Sequence, residues 1–371
     1  LNAGQAPLIA ESQSKLAMLL YSRGQYRDAE VLLLEAASRN DQEKNLKGLA
    51  LIMGNLGGVY RLQGDYQKAL EYHRKQLKLF GELGDEEGIS DALGDQGIVH
   101  WEKGELDQAL KCYQQQEETC RKIGDRLGMA RVLNNRGIIF NLQGKYKQAA
   151  TDFRDSSVIF RELGDKSGLS NPEGNLGVTY AMMGDRPKAL QCYANQAKIA
   201  MELGHRYNLA MAWGNTAEVY RDLGEWEKAR KYYDQALAIC RETKAKSQLC
   251  EFLLSYAELN RRTGNLSVCL ALTVEAGPLA QELGNTDFIF SATLLEILSS
   301  NDALRLIEDL NCLLAKTTKL NELAIIEYEL HKITGQHDYA VRSLELYRKL
   351  YEDNPLALYR ERIKELESSC L

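Results

Sequence analysis

The sequence predicts an all-α protein, a solenoid of about nine helical hairpins followed by one more helix. Three observations predict it. Glycine recurs at steps of 40 residues, at Gly24, Gly64, Gly104, Gly144, Gly184, Gly224 and Gly264. A small residue follows each glycine five places on: Ala29, Ala69, Ala109, Ala149, Ala189, Ala229 and then Cys269. Between these marks, apolar residues fall at three- and four-residue steps, the period of a helix with one buried face. Two further columns keep the register. Ala17, Gly57, Gly97, Gly137, Gly177, Ala217 and Ala257 lie seven places before the glycines. Leu20, Tyr60, His100, Phe140, Tyr180, Tyr220 and Asn260 lie four places before them. Such a period is the signature of a stacked repeat.

One repeat justifies the elements in order. Met53, Leu56, Gly57 and Tyr60 form a single stripe on a first helix. Gly64-Asp65 ends it, because glycine takes the left-handed capping conformation and aspartate can cap the next helix. Tyr66, Ala69, Leu70, His73, Leu77 and Phe80 give the second helix its stripe, and Gly84-Asp85 closes it. The pair returns at 124–125 and 164–165 and becomes Gly204-His205 and Gly284-Asn285. Gly57 and Ala69 are small where two antiparallel helices approach closely, since a larger side chain would overpack the contact.

The runs Gly54-Asn55-Leu56-Gly57-Gly58-Val59-Tyr60, Gly64-Asp65-Tyr66 and Ala69-Leu70-Glu71-Tyr72 resemble the tetratricopeptide repeat (TPR). That family's usual unit is about 34 residues, so these units are longer. The long form is similar to the repeats of kinesin light chains, of spindle-orientation adaptors that bind G-protein subunits, and of bacterial signalling ATPases with TPR sensors. The resemblance implies a right-handed superhelix making roughly one turn over nine hairpins. Residues 1–285 read as seven regular hairpins. The pattern then degrades through Ala303, Gly335 and Ala340, so 286–352 reads as two divergent hairpins, near 286–316 and 319–352. Asn354-Pro355 breaks the chain before a last amphipathic helix, about 356–368, and the 353–371 segment is expected to cap the stack. No composition shift marks a second domain, so one continuous solenoid replaces the two or three domains that length alone suggests.

Composition bounds the function. Apolar residues make up 44% of the 371-residue chain, enough for a large core, which excludes a disordered chain. Asp and Glu outnumber Lys and Arg, 52 to 46, so nucleic acid is not an expected partner. No run approaches the roughly 18 apolar residues of a membrane span, so no membrane partner is expected. Eight cysteines without short spacing point to a reduced, cytoplasmic protein. Leu1 in place of Met suggests a chain processed or cut from a longer one. The closing Ser369-Cys370-Leu371 is a poor peroxisomal signal, lacking a basic middle residue.

No phosphate loop, nucleophile elbow, zinc motif or paired metal-ligand set occurs, so neither an enzyme nor a cofactor or metal is expected. His73 and His100 share a column with aromatic or apolar residues or lie on an apolar stripe and read as packing; His331 and His337 flank a turn without a third ligand. Cys112, Cys120, Cys192 and Cys240 sit on second helices and read as packing residues.

What a hairpin stack offers is a concave surface lined by first helices. One column there is Lys15, Asn55, Asp95, Asn135, Asn175, Asn215 and Ser255. Asparagine is a poor helix-interior residue whose amide both donates and accepts, so it can pair with the backbone of an extended peptide. In the resembling families this column faces the groove and holds peptide ligands, carboxylate ends included. Asp95 departs from the column and favours a basic or amide group. Ile98, Ile138, Leu142, Val178 and Met182 form an apolar strip beside the ladder, flanked by Trp101, Arg131 and Arg221. Gln76, Gln116 and Gln196 replace the family's small residue in another column. The expected function is a non-catalytic scaffold holding a protein or peptide segment in the groove. The alternative is the sensor arm of a larger signalling protein, such as a signalling ATPase, that binds a trigger or its own effector domain. Oligomeric state is not legible, and loss of 286–371 is expected to fray the end before hairpins two to six fail.

Overall fold

The computed structural model describes residues 6–369. Among them are nineteen helices and no strands. They run α1 (Ala6–Ser22), α2 (Tyr26–Gln42), α3 (Leu46–Leu62), α4 (Tyr66–Leu83), α5 (Glu86–Glu102) and α6 (Leu106–Ile123). Then follow α7 (Arg126–Leu142), α8 (Tyr146–Glu162), α9 (Lys166–Met182), α10 (Arg186–Leu203), α11 (Arg206–Asp222) and α12 (Trp226–Thr243). The last are α13 (Lys246–Arg262), α14 (Leu266–Leu283), α15 (Thr286–Leu298), α16 (Ala303–Lys316), α17 (Leu320–Thr334), α18 (His337–Asp353) and α19 (Ala357–Ser369). The fold is the all-α helical-hairpin repeat that the sequence predicts. Cys370 and Leu371 of the terminal tripeptide lie outside the described residues.

The punctuation works as the chemistry requires. Gly64 takes φ +79°, and the Asp65 carboxylate accepts the Lys68 N–H at 3.1 Å to open α4. Asp85, Asp125 and Asp165 cap α5, α7 and α9 by accepting from Gly88, Gly128 and Gly168 at 2.9–3.1 Å. Where glycine is missing, Lys44 and Lys244 are forced to φ 57° and 56°. The alanine column, from Ala29 to Ala229 with Cys269, has no exposed surface at all.

Gly57 and Gly97 explain the small first-helix column. A Cβ at Gly97 would stand 2.4 Å from the Tyr113 ring, and one at Gly57 would stand 2.5 Å from the His73 imidazole. The glutamine column has an equally local cause. A Cβ at Gly54, Gly94 or Gly174 would stand 2.4–2.7 Å from Gln76, Gln116 or Gln196 of the same hairpin. Glycine on one helix makes room for glutamine on the other, and all three glutamines are buried. In hairpin six Ala236 replaces the glutamine, and the space over Gly214 is filled by Phe252 of α13.

The chain forms two compact units, Leu1–Ile139 with Asp155–Gly164, and Phe140–Arg154 with Asp165–Leu371. In the first, one core joins Leu33, Ile52, Leu56, Val59 and Leu70, and another joins Tyr113, Cys120, Val132 and Ile139. In the second, a large core runs from Ala197 through Tyr233, Phe252 and Leu253 to Leu295. Two smaller cores follow, around Leu298, Leu310 and Ile326, and around Tyr328, Tyr347 and Leu366.

Helix α19 packs on α17 and α18 through Tyr359, Ile363 and Leu366. The segment leading into it also returns to the start of its own unit. Tyr146 donates its hydroxyl to Asn354 across 208 residues, and Arg186 pairs with Glu361 at 2.8 Å. Gly184 leaves the space that Ala357 approaches; a Cβ there would stand 3.4 Å from it.

Candidate functional site

Four of the residues singled out above share one recess in the first unit. Asn55 of α3, Asp95 and Ile98 of α5, and Arg131 of α7 line a cavity of about 370 Å³. Met18, Tyr21 and Leu51 add apolar surface, while His73 and Gln76 of α4 form its base. The site exists because first helices present every seventh or eleventh position to one side, and because Gly54 and Gly58 carry no side chain to fill it.

Its charges are mixed. Arg61 of the lining pairs with Glu102, which lies outside it. Burial holds the Asp95 carboxyl above its usual range, opposed by the charges of His73, Arg61 and Arg131 and by a hydrogen bond from Gln76. The His73 Nδ1 lies 3.8 Å from an Asp95 oxygen and 3.0 Å from Gln76 Oε1. Asp91 is also raised, by burial and then by the charge of Asp95, with Arg131 working the other way. The recess therefore holds two carboxylates that a cation or N–H donor would relieve, beside one exposed guanidinium.

The other singled-out residues lie apart from this recess. Asn135 accepts from Asn134 at 3.3 Å, and Asn55 itself donates to Ser14 at 3.3 Å. Trp101 packs against the core of Tyr113 and Val132. Ile138 is half-buried on α7. In the second unit, Asn175, Val178 and Asn215 are half-buried, while Leu142 and Met182 are 57% and 40% exposed at the ends of α7 and α9. Arg221 pairs with Asp222 and faces a separate cavity of that unit. Asp91, Arg61, His73 and Gln76 were missed. Asp91 shares its column with Leu51, Arg131, Asn171, Met211 and Glu251, a mixture with no common chemistry that could have marked it.

Among the described residues the cysteines are buried apart from Cys112 and Cys312, which are half-buried and exposed. Burial pushes the thiols of Cys192 up to about 12 and of Cys240 and Cys250 up to about 11, so these three stay protonated and inert. Among the described residues no group of three or more His, Cys, Asp or Glu is placed to hold a metal ion. None of the described helices is long and apolar enough to cross a membrane.

Six overlapping stretches, 8–82, 48–122, 88–162, 128–195, 168–242 and 208–268, match the family described as tetratricopeptide repeat. No curated protein matches the chain in sequence. Among solved structures, the apo form of RapI is similar, with TM-score 0.60 and 18% identity over 74% of this chain and 99% of that one. A Rap protein complexed with competence and sporulation factor has TM-score 0.58 and 16% identity, covering 99% of both chains. The signal transduction ATPase with numerous domains (STAND) protein with a tetratricopeptide repeat sensor, from Pyrococcus horikoshii, has TM-score 0.61 and 16% identity. That match covers 96% of this chain and 50% of the other. At these identities the likeness is one of fold.

Proposed function

The chain belongs to the tetratricopeptide repeat family, and on that premise we propose that it is a non-catalytic scaffold that holds a segment of a partner protein against its first helices. The observation that carries this reading is the recess of about 370 Å³ shared by Asn55, Asp95, Ile98 and Arg131. Ligand pockets usually span roughly 300–1,000 Å³, so this one anchors one or two side chains of a longer segment. Asp91 and Asp95 select a basic or amide group, Arg131 an acidic one, and Ile98, Leu51 and Met18 an apolar side chain. Asn135 and Ile138 would extend the contact in the first unit. Asn175, Asn215, Leu142, Val178 and Met182 are the corresponding positions of the second, and Trp101 supports the site by packing.

The test is a quantitative pull-down from source-cell lysate read by mass spectrometry. Wild type is compared with Asn55→Ala/Asp95→Asn/Arg131→Ala and with Asn135→Ala/Asn175→Ala/Asn215→Ala, each checked for native circular dichroism. Partners lost from the first variant support the recess. Partners retained by both variants would remove the first helices from the function.

A second reading is a regulatory arm of a larger signalling protein. It is supported by the similarity of nearly this whole chain to half of the STAND protein with its repeat sensor, and by the Rap structure that carries a bound factor. In this reading the same recess takes a trigger or an effector domain on the same polypeptide, and a nucleotide-binding motif encoded in frame with this chain would favour it.

A further inference from the structure

The second unit holds a cavity of about 270 Å³ that the scaffold reading does not use. Its lining comes from α11, α13, α15, α17, α18 and α19. Part of the lining is apolar, from Leu254, Phe290, Leu294, Leu298 and Ile325. The rest includes Arg221, Arg261, Arg262 and Arg362 with Glu258 and Glu329.

The hydrogen bonds show which guanidiniums have capacity left. Arg261 is consumed by Glu258 and Glu329, at 2.7–3.4 Å. Arg221 gives Nε and Nη2 to Asp222, and Arg362 gives Nη1 to Glu365 and to the Tyr328 hydroxyl. Arg262 gives Nε to Glu258. Asp222 and Glu365 do not line the cavity, so the carboxylates that hold those two arginines stand outside it. A guanidinium has five N–H donors, so Arg221, Arg262 and Arg362 each keep donors that these carboxylates do not take. Arg362 also sits 4.1 Å over the Tyr328 ring, which fixes its plane. Its side chain is 21% exposed and that of Arg221 is 18% exposed, so both are positioned before any ligand arrives.

We propose that this cavity binds a small carboxylate carried on an apolar body. The carboxylate meets Arg221 and Arg362, and the body lies on Leu254, Leu294 and Leu298. A buried carboxylate requires charged donors already in place, which is what Arg221 and Arg362 supply. The volume lies at the low end of ligand pockets, so a short acid or the last residue of a peptide fits and a long segment does not. The proposal concerns the second unit alone, and its outcome is independent of the recess around Asp95.

The experiment is isothermal titration calorimetry on the full chain with octanoate, with octanol as the uncharged match, and with a leucine-terminated tripeptide bearing a free or amidated end. Losing one charge-assisted hydrogen bond costs enough to weaken binding roughly 10–100-fold. Octanoate or the free-ended tripeptide is expected to bind saturably, at least about tenfold more tightly than its uncharged match, and Arg221→Gln and Arg362→Gln are each expected to weaken it by about tenfold or more. Ser291→Leu fills the cavity without touching an ion pair and is expected to abolish binding in a folded chain. Tighter binding of the tripeptide than of octanoate assigns the site to chain ends, and the reverse assigns it to free organic acids. Equal binding of charged and uncharged matches, binding unchanged in Arg221→Gln and Ser291→Leu, or no saturable binding of either acid would overturn the proposal.

Discussion

Glu251 on α13 offers a direct measurement of what burial costs this repeat. Its side chain is half-buried, and burial, with the charge of Glu218 as a second cause, pushes its carboxyl from an ordinary 4.5 up to about 7. Glu218 itself accepts the Ser255 hydroxyl at 2.9 Å and interacts with the charge of Arg221. A raised folded value means that the native state binds the proton more tightly than the unfolded chain. The contribution is fully present below about pH 4.5 and is lost as pH rises towards 7, after which it is constant. Between those limits the linkage is worth about 3 kcal/mol, and about 2 kcal/mol after allowance for solvent at the exposed edge. Glu251→Gln keeps the shape and removes the titration. The assay is urea unfolding at pH 5 and pH 8 in a Trp101→Phe background, followed by the fluorescence of Trp213 and Trp226. Both indoles pack against the core that contains Phe252 and Leu253. The variant is expected to gain about 2 kcal/mol over the parent on going from the lower to the higher pH. A gain below about 0.5 kcal/mol, or a variant less stable than its parent at pH 8, would refute the reasoning.

Three other outcomes follow from local geometry. Lys44→Gly and Lys244→Gly relieve residues held at positive φ and should each raise stability by about 0.5–1 kcal/mol in urea melts. Gly94→Ala should cost about 1–3 kcal/mol because its Cβ meets the Gln116 amide, while Gly94→Ala/Gln116→Ala should recover most of the loss, a coupling that a double-mutant cycle reads directly. Asp95→Asn should stabilise the first unit at neutral pH and not at pH 4, because burial raises this carboxyl and the cost is lost on protonation; paired urea melts decide it.

Much of the fold was legible because each repeat stores its instructions within 40 residues. The αL glycines, the capping aspartates and the alanines of the tight crossing each act on neighbours in the same or the next hairpin, so a column in the alignment is a statement about one local contact. The glutamine column was legible as an anomaly but not as a solution. Its meaning needed Gly54, Gly94 and Gly174 read on the facing helix, a pairing that skips about 22 residues and is invisible to a single-helix period. The candidate site was legible only in part for the same reason. Asn55 and Asp95 are marked by their column, but whether an asparagine is available depends on its neighbours, and Asn55 already donates to Ser14. His73 and Gln76 belong to second helices and enter the recess from beneath, where no first-helix pattern could point to them.

The closure of the second unit has no column at all, and it changes what truncation should do. Asn354 and Glu361 look like ordinary polar residues of a terminal segment, yet they meet Tyr146 and Arg186 from hairpins four and five. A repeat whose hairpins touched only their neighbours would respond to loss of its end by fraying from that end. Here, removing residues 354–371 strips a mostly buried tyrosine hydroxyl of its acceptor and leaves Arg186 without Glu361. The hydrogen bond is worth about 1 kcal/mol and the ion pair, half open to water, at most about 1 kcal/mol. Amide hydrogen exchange should therefore accelerate by roughly tenfold in residues 144–150 and 183–190 of the truncated chain, 160 or more residues from the cut. Tyr146→Phe and Arg186→Ala in the intact chain should each reproduce part of that change at the same segments and also loosen 354–361. Exchange that rises only in α17 and α18 after truncation would mean that the return contact carries no energy, and that the unit is an open stack like any other run of hairpins.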